Sequence, residues 1–381
     1  MKIGTEAPLQ IAIMAPLVSA IREPQGGGSQ AFVSDLARGL VSRGHRVHVY
    51  AAAGSQIPGV TVIDTGVDPS SLAATLYRAV GPSGRDPAAA ASAASAAAAA
   101  SAFAGAYSAV RGTRYDIIHN HAFDAPAISL AAGLDASVVH TLHLPPETAV
   151  AVALGIASQG SRPPAVACVS ASQASAWRTV TRVDAILPPY VPTRSVPWSD
   201  ATGDGAVFAG RLSPEKGAAE AIDIAQAAGT RIDVYGDAYD AEYAREQIGP
   251  RRGEQGVMVH DGVPRTTMWA AMARAAVVVC PARWDEPFGM AAADALACGT
   301  PVVAFNRGGL GEIITDGVTG FLVAPDDIQG AADGIQRITQ ISRAACREHA
   351  ERHLDLERSL DAHEQLYRRV IRKDAGAAVR G

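Results

Sequence analysis

The chain has 381 residues, 48% hydrophobic and 19% charged, which excludes a single small module and leaves room for two domains of ordinary size. A formal charge of -5 gives no general attraction for phosphate backbones, so nucleic acid is not expected as a partner and any phosphate site must be local. Cys168, Cys280, Cys298 and Cys346 stand far apart without zinc-finger spacing and read as buried free thiols of a reducing, cytoplasmic compartment. No run approaches the roughly 18 apolar residues a membrane helix needs. The apolar stretch 11–21, with Glu6 ahead of it and Pro16 inside it, reads as a first buried strand rather than a leader.

In chain order, continuous apolar runs predict strands over 10–15, 46–51, 60–64, 116–121, 137–144 and 165–170, most of them separated by helical patterns. The first helix is marked by Phe32, Leu36 and Leu40 on one face and ends at Gly44. The alanine-rich stretch 88–102 predicts a helix flanking the sheet, because alanine is the best helix former. Four prolines within 187–203 mark an interdomain connection. The alternation then restarts, with strands over 206–210, 231–235, 257–260, 276–281 and 301–305. A last amphipathic helix over 356–372 is expected to return to the first domain. This predicts an α/β protein of two Rossmann-like, doubly wound parallel-sheet domains facing each other across a cleft. Residues 1–190 form the first domain and 191–355 the second.

Three segments carry chemistry. Gly26 to Ala31 formally matches a dinucleotide fingerprint, but it lies about ten residues after the first strand and no acid closes the second strand. Hydride transfer is therefore not expected, and what remains is a glycine loop whose N–H groups can approach a phosphate. In the segment Gly210-Arg-Leu-Ser-Pro-Glu-Lys-Gly217 a strand delivers Arg211 and Lys216 to a helix N-terminus, a focus of positive charge suited to a diphosphate. In the third, Glu286 sits ahead of a helix expected to begin at Pro287. The amides of Phe288, Gly289 and Met290 are then free to join it in gripping sugar hydroxyls, with Asp294 one turn further on the same side.

These segments, together with Ala297-Cys-Gly-Thr-Pro-Val-Val303 and Gly308-Gly-Leu-Gly-Glu312, resemble glycosyltransferase family four over nearly the whole chain, in the manner of actinobacterial-type members acting on a small molecule. The resemblance implies a GT-B fold, a nucleotide-sugar donor held mainly by the second domain, no metal and no other cofactor, and transfer with retention of configuration. By motif position, Arg211 and Lys216 would hold the diphosphate. Glu286 with Phe288, Gly289 and Met290 would hold the transferred sugar, and Gly27 and Gly28 would let the first domain close on the phosphates. The family's second carboxylate, which reaches the ribose from a glutamate, is here the shorter Asp294.

His119 and His121 share one face of a strand, and His140 and His143 lie on the next. The family's sugar-facing histidine is either His121 or His143, and Asp124 and Glu147 are placed to meet the acceptor. The function expected is transfer of a hexose or N-acetylhexosamine from UDP-glucose or UDP-N-acetylglucosamine to a small soluble acceptor. A non-hydrolysing sugar-nucleotide epimerase and a non-catalytic nucleotide-sugar sensor are the alternatives. No membrane insertion is expected, and a homodimer is compatible with the sequence.

Overall fold

The computed structural model describes residues 7–75 and 93–378. The first unit contains β1 (Gln10–Met14), α1 (Gly28–Ser42), β2 (Arg46–Ala51), β3 (Thr61–Asp64), α2 (Ala93–Arg111), β4 (Ile117–Asn120), α3 (Ala125–Ala131), β5 (Ser137–Leu142), α4 (Thr148–Ala157), β6 (Ala165–Cys168), α5 (Ala171–Trp177) and β7 (Ala185–Ile186). All strands run parallel in the order β3-β2-β1-β4-β5-β6-β7. The second unit contains β8 (Ala206–Ala209), α6 (Ala218–Ala227), β9 (Ile232–Tyr235), α7 (Ala241–Tyr243), β10 (Val257–His260), α8 (Arg265–Arg274), β11 (Val277–Cys280), α9 (Met290–Ala297), β12 (Val302–Phe305), α10 (Leu310–Ile313), β13 (Gly320–Val323), α11 (Ile328–Gln336) and α12 (Arg343–His353). Its parallel order is β10-β9-β8-β11-β12-β13.

The central strands are buried on both faces, as their unbroken apolar runs require: β12 (Val302–Phe305) has every side chain inside. The winding reverses between β1 and β4 in one sheet and between β8 and β11 in the other. A parallel sheet opens a crevice at the carboxyl ends of its strands where the order reverses. These two crevices face each other.

Several expected boundaries shift. Residues 88–92 lie outside the described residues, and α2 runs to Arg111, nine residues past the predicted end. Phe103, Tyr107 and Val110 recur at helical spacing and bury that face, and the Tyr107 hydroxyl donates to the Ala127 carbonyl at 2.8 Å. Strands β7 and β13 were not anticipated. The helix expected to begin at Pro287 begins at Met290, because Gly289 turns the chain first at φ 109°.

The last helix, α13 (Leu356–Ala378), lies against α1, with Leu360, Leu366, Tyr367 and Val370 in the first unit's core. The outgoing linker and the returning chain run together: Val191 N–H donates to the Leu354 carbonyl at 2.8 Å, and Leu356 N–H donates to the Val191 carbonyl at 2.9 Å. Two buried arginines of α12 fix this crossing. Arg347 donates to the carbonyls of Thr193, Val196 and Ala297. Arg343 donates to those of Ser199, Ala273 and Ala275. From Thr193 to Ser199 the proline-rich segment is therefore anchored to the second unit, while the Pro188 carbonyl accepts from Ser359 of α13 at 2.6 Å. Among the described residues no helix is long and apolar enough to cross a membrane.

Candidate functional site

A cavity of about 540 Å³ lies between the units, lined from one side by the glycine loop and from the other by the ends of β8, β9 and β11 and the start of α9. Gly27, Gly28, His143, Arg211, Lys216, Glu286, Phe288, Gly289, Met290 and Asp294 all line it. His121 does not; it is fully buried behind His143. Asp124 and Glu147 sit at the N-termini of α3 and α4 and are not part of the lining. Cys280, expected to be buried, is half-buried and lines the cavity, while Cys168, Cys298 and Cys346 are buried free thiols.

Each cation is held by an aromatic ring and a carboxylate. The Lys216 ammonium lies over the Trp284 ring at 4.8 Å and donates to both oxygens of Glu286, at 2.9 and 2.7 Å. Trp284 Nε1 donates to the same carboxylate at 2.8 Å. Arg211 lies 4.1 Å over the Tyr239 ring and donates to the buried carboxylate of Glu215 at 3.1 Å. Both cations precede α6, whose first-turn N–H groups add positive potential at the same point. Met290, Ala291 and Ala292 present the first turn of α9 to the cavity. Across from them, Gly28 comes so close to Met290 that a Cβ on it would meet Met290 Cγ at 3.0 Å. The loop is braced by Gln30, which donates to Ser19 Oγ at 2.6 Å.

Carboxylate contacts join the units at Glu312 and around Arg265. Glu312 of α10 accepts from the N–H groups of Ala171 and Ser172, capping α5 of the other unit at 2.8 and 2.7 Å. Arg265 of α8 joins Asp294 of its own unit, at 2.8 Å, to Asp35 of α1. Asp294 thus lines the cavity as its position in the motif implied, with both oxygens facing a guanidinium. Sequence reasoning missed Arg265, Asp35 and Trp284. Trp284 lies inside a segment read for other residues, and the run Gly262-Val-Pro-Arg265 ahead of a helix was the available signal for Arg265.

His119, His121, His143 and His363 form one cluster, while His140, on the other face of β5, bonds Asn120. His121 Nδ1 and His143 Nε2 are 2.9 Å apart, and the rings of His119 and His121 lie 4.0 Å apart. His119 also bonds the Tyr367 hydroxyl at 2.6 Å and Thr141 Oγ1 at 2.7 Å. Burial lowers the pKa of His143 to about 4, with His363 adding to the effect. Burial, then His119, His143 and His363, hold His121 well below the ordinary histidine value. Both rings are neutral near pH 7 and offer hydrogen bonds rather than charge.

Two family models match the chain: "Glycosyltransferase Family 4" over residues 26–193 and "Glycosyl transferases group 1" over residues 199–353. A glycogen synthase of Mycobacterium tuberculosis is 32% identical over 146 residues, 37% of this chain and 35% of that protein. A D-inositol 3-phosphate glycosyltransferase of Saccharomonospora viridis is 40% identical over 113 residues, 28% of this chain and 26% of that protein. The chain thus spans about a third or less of the length of these curated relatives. Among solved structures, the sucrose-phosphate synthase of Thermosynechococcus elongatus superposes with a TM-score of 0.74 at 20% identity, covering 96% of this chain and 100% of that one. AviGT4, a glycosyltransferase involved in avilamycin A biosynthesis, gives 0.67 at 23% identity over 96% and 99% of the two chains. Anabaena HepE in complex with UDP and glucose gives 0.69 at 20% identity over 94% and 99%.

Proposed function

Because this chain belongs to glycosyltransferase family four and has the GT-B fold, we propose that it transfers a hexose or N-acetylhexosamine from a UDP-sugar to a small soluble acceptor, with retention of configuration and without a metal. The observation that carries this reading is the Lys216–Glu286 pair at the convergence of α6 and α9, opposite Gly27 and Gly28. A lone pair of opposite charges satisfies only itself. A ligand with an anionic diphosphate at one end and hydroxyls at the other satisfies both partners, the phosphate oxygens on Lys216 and Arg211 and the hydroxyls on Glu286.

As the bond to the diphosphate breaks, negative charge grows on the leaving oxygen, where the two cations and the helix N-terminus are already fixed. The acceptor's proton passes to that same oxygen, so no protein base is needed at this point and the residues act chiefly by positioning. His143 is the histidine that meets the transferred sugar, as a neutral hydrogen-bonding group, with His121 holding it from behind. The first unit carries the acceptor beside the glycine loop.

The test is incubation of the protein with labelled UDP-, ADP- and GDP-sugars and a metabolite extract in the presence of EDTA, with the product anomer read by NMR. Turnover of the UDP-sugar with an α-configured product supports the reading. Isomerised donor without acceptor would make it an epimerase, and tight binding without turnover would make it a sensor.

A further inference from the structure

Arg265 opens α8 immediately beyond β10, and its guanidinium is divided between the two units. Nε and Nη2 face the two oxygens of Asp294 at 3.3 and 2.8 Å, while Nη1 is bonded to Asp35 of α1. All three side chains are almost wholly withdrawn from solvent, at 11%, 10% and 9% exposure for Arg265, Asp294 and Asp35. The ring of Trp269, 4.8 Å from the guanidinium carbon, confines its plane. The Arg265 N–H also donates to Glu23 of the first unit at 3.0 Å, so backbone and side chain tie the start of α8 to the same neighbour.

Two carboxylates share one cation here, with Arg38 the other charge acting on Asp35. Burial raises the pKa of Asp35 against the opposing pull of Arg265, and the charge of Asp294 adds to the rise. Burial acts to lower the pKa of Arg265, and Asp294 and Asp35 more than offset it, leaving it above the ordinary arginine value. The shared cation therefore stays charged, and what one carboxylate gains from it the other loses.

We propose that Arg265 is a positioning residue that couples Asp294, the cavity carboxylate whose motif position implies the donor ribose as its partner, to the contact between the two units. This rests on the nucleotide-donor reading above. A ribose hydroxyl donating to Asp294 relieves part of its demand on the guanidinium, which then bonds Asp35 more fully and draws α1 onto the second unit. Loss of Asp35 has the reverse effect: the whole guanidinium falls to Asp294, whose oxygens become poorer acceptors for the ribose. Such coupling is reciprocal by thermodynamic necessity. Asp35 does not line the cavity, so its effect on the nucleotide is indirect, and the D294N background separates the route through Arg265 from one along α1, whose first turn lines the cavity.

The test is a calorimetric cycle with UDP on the full chain and its D35N, D294N and doubly substituted forms. We expect D35N to weaken UDP binding by about threefold or more when Asp294 is present and by less than about 1.5-fold when it is not. Should D35N unfold, R265K, which keeps the charge but cannot bond both carboxylates at once, serves in its place: it should change UDP binding by about threefold or more when Asp294 is present and by less than about 1.5-fold in the D294N background. Equal effects of D35N in both backgrounds, or none while the parent chain binds UDP, would overturn the coupling and leave the donor reading intact. Failure of the parent chain to bind UDP would overturn the donor reading and the coupling with it.

Discussion

Lys216 and Glu286, seventy positions apart, meet as a two-point contact at the mouth of the cleft, with Trp284 bonded to the carboxylate and lying beneath the ammonium. Replacing Lys216 by alanine removes charge-assisted contacts to a departing diphosphate worth about 1.5–3 kcal/mol, a loss of roughly tenfold to a hundredfold in kcat/KM for the donor. Steady-state kinetics with a UDP-sugar reads it. Kinetics close to the parent in both K216A and R211A would rule out these residues as the diphosphate site.

Gly28 and Met290 set how closely the units approach. A methyl group at Gly28 would meet Met290 Cγ at 3.0 Å, tighter than an ordinary contact, so either the Met290 side chain shifts by a few tenths of an ångström or the units move apart. Gly28→Ala should lower kcat/KM by about tenfold while the melting temperature holds within about 2 °C, because the clash lies between units rather than within a core. Pairing it with Met290→Ala should restore part of the activity.

Arg347 is the main tie of the linker to the second unit. Substitution by alanine strands the buried carbonyls of Thr193, Val196 and Ala297, at a cost of about 2–4 kcal/mol. Calorimetry should show the melting transition falling by roughly 5–10 °C, with the exposed neighbour Arg352→Ala unchanged as the control.

Buried histidines should make the fold sensitive to acid. Burial lowers His140 to about 3, and it lowers His143 and His363 to about 4. The folded chain therefore binds fewer protons than the unfolded chain from about pH 6.5 down to about 4, and stability falls through that window as pH falls. Each ring contributes up to about 1.4 kcal/mol per pH unit. Urea unfolding at pH 7 and pH 5 should differ by about 2–5 kcal/mol, less so in His363→Gln. A flat profile would show that the rings are not held neutral.

The parallel sheets were legible because buried strands between helices leave unbroken apolar runs, as in Val302–Phe305 and Gln10–Met14. The short β7, two residues long, leaves no such run, and β13 lies inside a glycine-rich motif that masks its pattern. At the site, the residues that share a loop or one helical turn, such as Arg211 with Lys216 and Met290 with Asp294, could be placed from spacing alone. The partners of those residues could not. Asp35 and Arg265 are separated by 230 positions, and no local periodicity records that folding brings them together. The choice between His121 and His143 stayed open for the same reason: only the packing of Phe32 and α13 around them decides which ring reaches the cleft.

Because α13 (Leu356–Ala378) supplies Leu360, Leu366, Tyr367 and Val370 to the core that contains Ile11, the earlier-made of the two units cannot complete its core until α13 has been synthesised. Its sheet must wait through synthesis of the entire second unit with a greasy furrow along α1 and His119 lacking the Tyr367 hydroxyl. A fragment stopped at the linker would carry that furrow permanently, so cutting the polypeptide between its two sheets yields one half that sticks to itself rather than two independent halves.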